Sequence, residues 1–191
     1  MFARHNRLAL NCIFFVMLVS FLSGCASLIH KIHSDPIVES RDVRTWGGWL
    51  DDQQAELVSD VNLHHLVDSR IIPLSFNGYV LLIGQVPDED IRSRAEQVVR
   101  QTRGIRQLFN ELQVGKTISV MEQLKDAWIT SSIKLSMLFS RNVPSSRIRV
   151  VTEAGVVYLM GLVTQEEARQ ATAVVQRSGG VQRVVKVFEY L

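Results

Sequence analysis

The pattern of apolar and polar positions occurs twice along the chain. Residues 77–112 and 154–191 share it: a turn with glycine, a short apolar run bounded by glycine, a helical stretch that opens on polar or acidic residues, and a closing strand-like run. Gly84 and Gly161 stand 77 residues apart at equivalent places in the two copies. Repetition of this kind is the signature of a duplicated structural unit. The sequence therefore predicts two similar small domains in tandem.

Both copies predict the same strands and the same helix. The glycine turns indicate hairpins, because tight turns with glycine join antiparallel strands. Residues 87–90 are predicted to open the helix of the first copy, and Thr164 and Glu167 resemble a capping box at the start of the second. Gly104 and Gly180 are predicted to stop the two helices. The predicted strands cover residues 71–76, 80–83 and 106–114 in the first copy and 148–152, 156–160 and 181–190 in the second.

A further helix is predicted ahead of each copy. Leu57 and Val61 in the first copy align with Ile129 and Ile133 in the second, and we expect these positions to face the core. The element order is then αββαβ, an α+β fold in which a three-stranded mixed sheet carries two helices on one face. Pro73 lacks an amide hydrogen, so we expect the first strand to lie at a sheet edge or to be broken.

An uncharged apolar run near the N-terminus lies outside the two repeated copies. Residues 8–22 follow two arginines and are fewer than the roughly 20 residues that a membrane-spanning helix needs. Their length and flanks are typical of the apolar part of a secretion signal, with the small residues Ser23 and Gly24 at the cleavage site. We therefore predict that residues 1–24 are a signal peptide.

The two cysteines fit this interpretation. Cys12 lies in the predicted signal, so Cys25 is the one cysteine left and no intramolecular disulfide can form. Residues 22–25, Leu-Ser-Gly-Cys, resemble the lipobox of bacterial lipoproteins. The resemblance implies a diacylglycerol on the sulfur of Cys25, cleavage before it and acylation of its new amine, whereas Ala26 implies the periplasmic face of the outer membrane. The alternative is an ordinary secretion signal followed by a chance cysteine.

These observations divide the chain into four parts. Residues 1–24 are the signal, 25–50 the lipidated N-terminus and a tether, 51–115 the first domain and 116–191 the second. The tether lacks periodicity, and a flexible chain of its length reaches roughly 25–30 Å.

Three stretches carry a more specific resemblance. Residues 126–135 read DAWITSSIKL, residues 155–168 read GVVYLMGLVTQEEA, and residues 44–52 read RTWGGWLDD. Together with two αββαβ copies behind a lipobox, they resemble the dual BON-domain outer-membrane lipoproteins over nearly all of residues 25–191. The resemblance implies a non-enzymatic module that binds phospholipid or envelope partners and helps to keep the outer membrane intact.

The sequence offers no catalytic or metal-binding motif. G-x-S-x-G, a P-loop and H-E-x-x-H are all absent from it. His64 and His65 are adjacent, and on a helix such neighbours point about 100° apart, so they cannot hold one metal ion together. Glu166 and Glu167 are interpreted as a helix start rather than an acid–base pair. We predict no enzymatic activity, no metal site and no cofactor.

The leading helix of the second copy has a second apolar side. With successive residues at steps of about 100°, Trp128, Leu135 and Leu138 point away from the core positions Ile129 and Ile133. Basic residues flank this side, and interfacial helices place apolar groups among lipid headgroups and cations against lipid phosphates. The predicted residues for docking on anionic phospholipid are Trp128, Ser131, Lys134, Leu135, Leu138 and Arg141.

The two copies differ in charge. Residues 26–115 hold 9 Lys and Arg against 13 Asp and Glu, and residues 116–191 hold 10 against 6. The first part is therefore negative by 4 and the second positive by 4, which favours the second copy for contact with an anionic surface. In the first copy, Glu56 is predicted to take the place of Trp128.

Two alternatives to lipid docking stay open at this point. Trp128 and Leu135 are also explained by packing against the first domain, helped by the opposite charges, or by contact with another protein. In the latter case the protein is an interaction scaffold for outer-membrane assembly or for cell-wall and division machinery, and the acidic first domain or the groove between the copies carries the site. We expect a monomer, and the small basic surplus and the envelope location argue against nucleic acid as a partner.

Overall fold

The computed structural model describes residues 46–66 and 68–191. The predicted signal peptide, Cys25 and the predicted tether up to residue 45 lie outside the described residues. The first domain contains α1 (Trp46–Leu63), β1 (Arg70–Phe76), β2 (Tyr79–Val86), α2 (Glu89–Arg100), β3 (Gln107–Asn110) and β4 (Gln113–Val114). The second contains α3 (Val120–Phe139), a 3₁₀ turn (Ser145–Arg147), β5 (Ile148–Glu153), β6 (Val156–Val163), α4 (Gln165–Gln176) and β7 (Arg183–Tyr190).

The strand pairing confirms the αββαβ order in both domains. β1 and β2 form an antiparallel hairpin, and β3 and β4 pair with β2 in parallel. In the second domain β5 and β6 are antiparallel and β7 joins β6 in parallel. Each sheet is therefore mixed, as the sequence pattern predicts. α1 begins at Trp46, so it takes in the last residues of the predicted tether.

The last strand of the first sheet is interrupted. The single strand expected over 106–114 is divided into β3 and β4, so this sheet has four strand segments, whereas the second sheet has the expected three. The break follows Asn110, whose side-chain oxygen accepts the amide of Leu112 at 3.3 Å. The side-chain amide of Asn110 donates to the carbonyl of Arg92 in α2 at 3.2 Å. Hydrogen bonds of this local kind compete with the ladder between strands.

Pro73 lies at a sheet edge, as predicted. β1 is the edge strand of the first sheet, and Pro73 stands opposite Leu82 in the unbroken pairing of β1 with β2. One side of an edge strand has no neighbouring strand to accept an amide hydrogen, so proline costs little there.

One aspartate anchors each leading helix to the hairpin of its domain. Asp52 in α1 accepts the backbone amides of Asn77 and Gly78 at 2.7 and 2.9 Å, in the turn between β1 and β2. Asp126 in α3 accepts the two amides of the equivalent turn between β5 and β6, also at 2.7 and 2.9 Å. The two aspartates are therefore equivalent, and they fix how each helix is rotated over its sheet.

This equivalence corrects the predicted alignment of α1. Leu57 and Val61 were expected in the core, and this is wrong: they are 65% and 58% exposed. The predicted alignment of α1 with α3 is displaced by two residues. It matches apolar positions of the two helices, whereas the structure matches Asp52 with Asp126. Among residues 47–63 of α1, those buried are Asp52, Ala55, Ser59 and Leu63.

Each domain has a core between its two helices and one face of its sheet, which confirms the predicted placement of the helices. The buried residues of the core in the first domain are Leu63, Val80, Leu82, Val86, Ala95, Val99 and Leu112. In the second domain the corresponding core includes Ile129, Ile133, Met137, Val157, Leu159, Val163, Ala171 and Val175.

The other faces of the two sheets pack against each other and form a third core. Leu81 and Ile83 of β2 lie in it with Tyr158 and Met160 of β6. These side chains alternate along each strand with those of the helix-covered cores, as side chains on a strand must. The described residues are thus arranged in four layers: helices, first sheet, second sheet, helices.

Four ion pairs between described residues join the two domains. They are Arg70–Glu153 (3.1 Å), Arg106–Glu189 (2.8 Å), Arg183–Glu111 (3.5 Å) and Arg149–Glu56. Each domain contributes two arginines and two glutamates. The pairs therefore leave the net charge of either domain unchanged, and the opposite charges of the two domains are carried by other surfaces.

The pair at Glu189 makes stability depend on pH. Burial alone would raise the pKa of Glu189, but the hydrogen bonds from Arg106 and Asn77 hold it below its usual value of 4.5. A carboxylate with a lowered folded-state pKa stabilises the fold above its unfolded pKa, and the contribution is lost as the pH falls through the folded pKa. We expect Glu189→Gln to lower Tm at pH 7 and to reduce the loss of Tm between pH 7 and pH 3, as followed by circular dichroism. An equal fall in Tm at both pH values would assign the effect to packing instead.

Candidate functional site

α3 is a 20-residue helix with a well-defined start. The hydroxyl of Ser119 accepts the amide of Glu122 at 3.3 Å, and the carboxylate of Glu122 accepts the amide of Ser119 at 2.8 Å, which is a capping box. The bonds from the backbone and side chain of Ser119 hold the pKa of Glu122 below its usual range. The ionised carboxylate then lies at the end of the helix where the dipole favours negative charge. At 1.5 Å per residue the helix is about 30 Å long.

The two sides of α3 have different environments. Asp126, Ile129, Ile133 and Met137 are buried against the second sheet, within a sector of roughly 80°. A set of large apolar side chains lies on the opposite side and is exposed, in a sector of roughly 100°. This outer apolar face of α3 consists of Val120, Met121, Leu124, Trp128, Leu135, Leu138 and Phe139.

Four of the six predicted docking residues lie together on this side. Trp128, Leu135 and Leu138 belong to the outer apolar face, and Ser131 is exposed between them. The hydroxyl of Ser131 donates to the carbonyl of Ala127 at 2.9 Å, so its hydrogen is already bonded within the helix. Burying this serine in an apolar environment would leave no donor without a partner.

The two predicted cations lie at the margins of the outer apolar face. Lys134 is exposed on one flank of α3, and Arg141 is exposed just beyond the end of the helix. Lys125, which is not among the predicted residues, is exposed on the other flank. In the part of the chain that the structure describes, none of these three side chains forms an ion pair. Positive charge is therefore displayed on both sides of the face.

The outer apolar face itself carries no carboxylate. α3 contains two acidic residues: Glu122 is held in the capping box, and Asp126 is buried beneath the hairpin turn. An anionic surface approaching this side would meet no carboxylate of α3, but apolar groups, cations and the exposed Ser131.

Sequence reasoning missed four residues of the face. Val120, Met121, Leu124 and Phe139 are as exposed as the predicted residues, and Phe139 is 78% exposed. The signal was present, because the capping box at Ser119 marks a helix start well ahead of Trp128. The helical spacing then extends the apolar row toward both ends.

α1, the equivalent helix of the first domain, presents a different surface. Aligning the anchoring aspartates places Gln54 at the position of Trp128, and this corrects the prediction that Glu56 stands there. Glu56 accepts the amide of Ser75 at 2.6 Å and pairs with Arg149, so it contributes to the contact between the domains. α1 contains no lysine or arginine at all.

The structure does not place Trp128 between the domains. Trp128 and Leu135 are 65% and 56% exposed, and the core between the two sheets contains no residue of α3. The alternative that these side chains pack against the first domain is therefore wrong for the described residues.

The carboxylates near the start of α4 are structural. Burial alone would raise the pKa of Glu167, but bonds from Thr164 and the charge of Arg147 lower it. Hydrogen bonds from Arg169 and Gln170 lower the pKa of Glu166. Both groups are held ionised, whereas a general acid at neutral pH requires a raised pKa.

The described residues contain neither a metal-binding cluster nor a membrane-spanning helix. Within residues 46–66 and 68–191, no group of three or more His, Cys, Asp or Glu side chains is arranged to hold a metal ion. No helix in the same residues combines the length and the apolar character required to cross a bilayer.

Comparison with known proteins agrees with the duplicated architecture. The chain matches the BON domain at residues 52–116 and again at 125–191. It is 33% identical over 175 residues to the outer membrane lipoprotein DolP of Haemophilus influenzae, covering 90% of this chain and 91% of that protein. It is 32% identical over 168 residues to the 21 kDa hemolysin of Actinobacillus pleuropneumoniae, covering 85% and 84%. A structural protein of the type III secretion system of Chlamydia trachomatis, CdsD, is 11% identical with a TM-score of 0.32, covering 71% and 91%.

Proposed function

Because the chain belongs to the dual BON-domain outer-membrane lipoprotein family, we propose that its second domain docks on anionic phospholipid through the outer apolar face of α3. The observation that carries the proposal is the exposure of seven large apolar side chains along one side of a helix, with cations on both flanks. Helices that lie in a membrane interface have this combination of an apolar face and basic margins.

The energetics favour shallow insertion of the whole face. Transfer of one Val, Leu or Met side chain from water to an apolar environment is worth about 1.5–3 kcal/mol, so partial burial of several such groups outweighs the loss of side-chain freedom. Each lysine or arginine near an anionic membrane adds about 1 kcal/mol, through Lys125, Lys134 and Arg141 here.

The acyl chains proposed at Cys25 would make a weak site sufficient. A domain held near the bilayer by a tether meets lipid at an effective concentration of about a millimolar or more. The acyl chains would provide a permanent attachment on the periplasmic side of the outer membrane, and α3 a second attachment that responds to lipid composition. The protein would support outer-membrane integrity by binding, with no chemical step.

The opposite charges of the two domains restrict docking to one side. Residues 51–115 hold 10 Asp and Glu against 6 Lys and Arg, whereas residues 116–191 have the reverse excess. The first domain should therefore be repelled by the anionic lipid that attracts the second. We propose that partners in outer-membrane assembly or division, if the protein is also a scaffold, bind the acidic first domain or the groove between the copies.

The lipid dependence can be measured directly. A fragment of residues 40–191 contains both domains and lacks the predicted lipid attachment. We expect it to float with liposomes that contain phosphatidylglycerol or cardiolipin, to bind pure phosphatidylcholine at least tenfold more weakly, and to be released by 0.5 M salt, because salt screens exposed charges. Equal binding to both kinds of liposome would contradict an anionic preference, and no binding to either would contradict lipid docking.

A further inference from the structure

α1 of the first domain exposes several large apolar side chains. Leu50, Leu57 and Val61 are more than half exposed and lie along one side of the helix, and Val58 is beside them. The row that faces the first sheet is smaller and more polar, with Asp52, Ala55 and Ser59 in three of its four positions. A surface helix of a globular protein has the reverse arrangement. The exposed side of α1 is therefore an apolar surface that adds little to the core of its own domain.

A groove lies next to this apolar row, between α1 and the loop that follows α2. It has a volume of about 510 Å³ and is lined by Asp51, Ala55, Val58, Asn62, Arg103 and Gly104 among others. In the second domain, the side chain of Ile129 fills the space next to the equivalent glycine, Gly180. A methyl group added at Gly180 would stand 3.0 Å from Ile129, whereas at Gly104, the equivalent glycine, it would meet no atom within 4 Å.

One difference between the domains lies on the leading helix, at the residue that faces this glycine. Ile129 stands three residues after the anchoring Asp126, and Ala55 stands three residues after Asp52. The smaller side chain of Ala55 leaves open the space that isoleucine occupies in the second domain. The first domain thus has a preformed cleft large enough for an aliphatic side chain, which its repeat lacks.

Acidic residues predominate on α1 beside the cleft, although the cleft itself is lined by one acidic and one basic residue, Asp51 and Arg103. All four charged residues of α1 are acidic, and of these Asp51 lines the groove and Asp60 is exposed farther along the helix. Arg103 stands on the opposite wall. The domain has a net charge of −4, and the ion pairs to the second domain do not change it. Anionic lipid would be repelled here, which distinguishes this surface from the outer apolar face of α3.

We propose that this groove and the apolar row of α1 bind a basic amphipathic helix of another protein. One aliphatic side chain of that helix enters the groove over Ala55, its apolar side covers Leu57 and Val61, and its lysines or arginines face Asp51 and Asp60. Recognition of an amphipathic helix in a groove is a common mode of binding, with anchors spaced at helical intervals. Since α1 and α3 lie on the outer faces of different sheets, the protein can hold such a partner while α3 is on the membrane.

Model peptides test the charge and the apolar character of the site. An 18-residue amphipathic helix of leucine and lysine, labelled with a fluorophore, is titrated with fragment 40–191, and its anisotropy is compared with that of a leucine and glutamate peptide of the same apolar pattern. Both titrations use the fragment with Trp128→Glu, because the outer apolar face of α3 and its cations would otherwise attract the glutamate peptide. The lysine peptide should bind this fragment at least tenfold more tightly than the glutamate peptide. Equal affinity for both peptides would overturn the proposal.

Variants locate the site. Ala55→Ile restores the residue of the second domain, so it should leave the circular dichroism spectrum and liposome binding unchanged while reducing affinity for the lysine peptide at least tenfold. Asp51→Lys should weaken peptide binding several-fold and Arg103→Glu should strengthen it, whereas Trp128→Glu should have no effect.

Unchanged peptide binding by Ala55→Ile would overturn the proposal. Self-association of the fragment that Ala55→Ile abolishes would also overturn it, because the occupant would then be a second copy.

Discussion

Trp128→Glu is expected to reduce binding of fragment 40–191 to anionic liposomes at least tenfold, and Leu57→Glu is expected to leave that binding unchanged. Both side chains are 65% exposed and both stand on the leading helix of a domain, so the two variants add the same charge at equally accessible places. Trp128 lies near the middle of the outer apolar face of α3, where a carboxylate would have to lose its hydration to enter the headgroup region. It would also repel lipid phosphates. Leu57 lies in the acidic domain, on the helix without lysine or arginine.

Flotation with liposomes containing phosphatidylglycerol gives the two affinities, and circular dichroism shows whether both variants are folded. A further comparison separates insertion from charge. Trp128→Ala removes the ring without adding charge and should weaken binding less than Trp128→Glu does. A loss of binding by both Trp128→Glu and Leu57→Glu would mean that net charge, and not the face of α3, governs attachment. Unchanged binding by Trp128→Glu would remove α3 from the lipid contact.

The sequence predicted the domain fold well because glycine and the apolar runs mark local structure. Gly78 and Gly155 have φ near +75°, a conformation that β-branched and bulky residues avoid, and each sits in the turn of its hairpin. The rotation of α1 was not predicted, because its position is set by hydrogen bonds that Asp52 accepts from residues 75, 77 and 78 and not by its apolar residues. Where a helix exposes its larger apolar side chains, hydrophobic periodicity indicates the wrong face.

The sequence indicates that one face of each sheet needs a partner, but it does not predict the contact between the domains. Residues 80–83 and 156–160 are continuous apolar runs, and a strand with such a run is buried on both faces. The two helices of each domain cover one face, so the other face required a partner. Nothing in the residue pattern says whether that partner is the second domain, another protein or a second copy. The structure shows that it is the other sheet.

Only some residues of the outer apolar face of α3 were predicted, because the sequence does not show which surfaces of a helix are covered. Helical spacing placed Trp128, Leu135 and Leu138 on one side, but spacing alone cannot show whether that side is covered. Exposure in the folded chain decides the point, and it also extends the face to Val120 and Phe139. Lys134 and Arg141 were recognised by their charge, whereas Lys125 was missed because it precedes the tryptophan on which the prediction was centred.

The second large effect is expected at the contact between the sheets, where Leu81 and Leu82 form a matched pair. They are neighbours on β2 and both are fully buried, but Leu81 points into the core between the domains and Leu82 into the core under the helices of the first domain. Replacing a buried leucine by alanine costs about 2–5 kcal/mol, from lost burial and the cavity that remains. Both Leu81→Ala and Leu82→Ala should therefore lower the free energy of unfolding by an amount in this range, as measured by urea denaturation.

Only Leu81→Ala should loosen one domain from the other. In amide hydrogen exchange, we expect it to increase exchange in both domains, around β2 and around Tyr158 and Met160 of β6, because the cavity is shared by the two sheets. Leu82→Ala should increase exchange mainly in the first domain. If both variants increase exchange in the second domain equally, the two domains unfold as one cooperative unit. The contact between the sheets then does not open independently of the domains. If Leu81→Ala affects the first domain alone, the sheets separate in solution, and the surface containing Leu81 and Tyr158 is available to another partner.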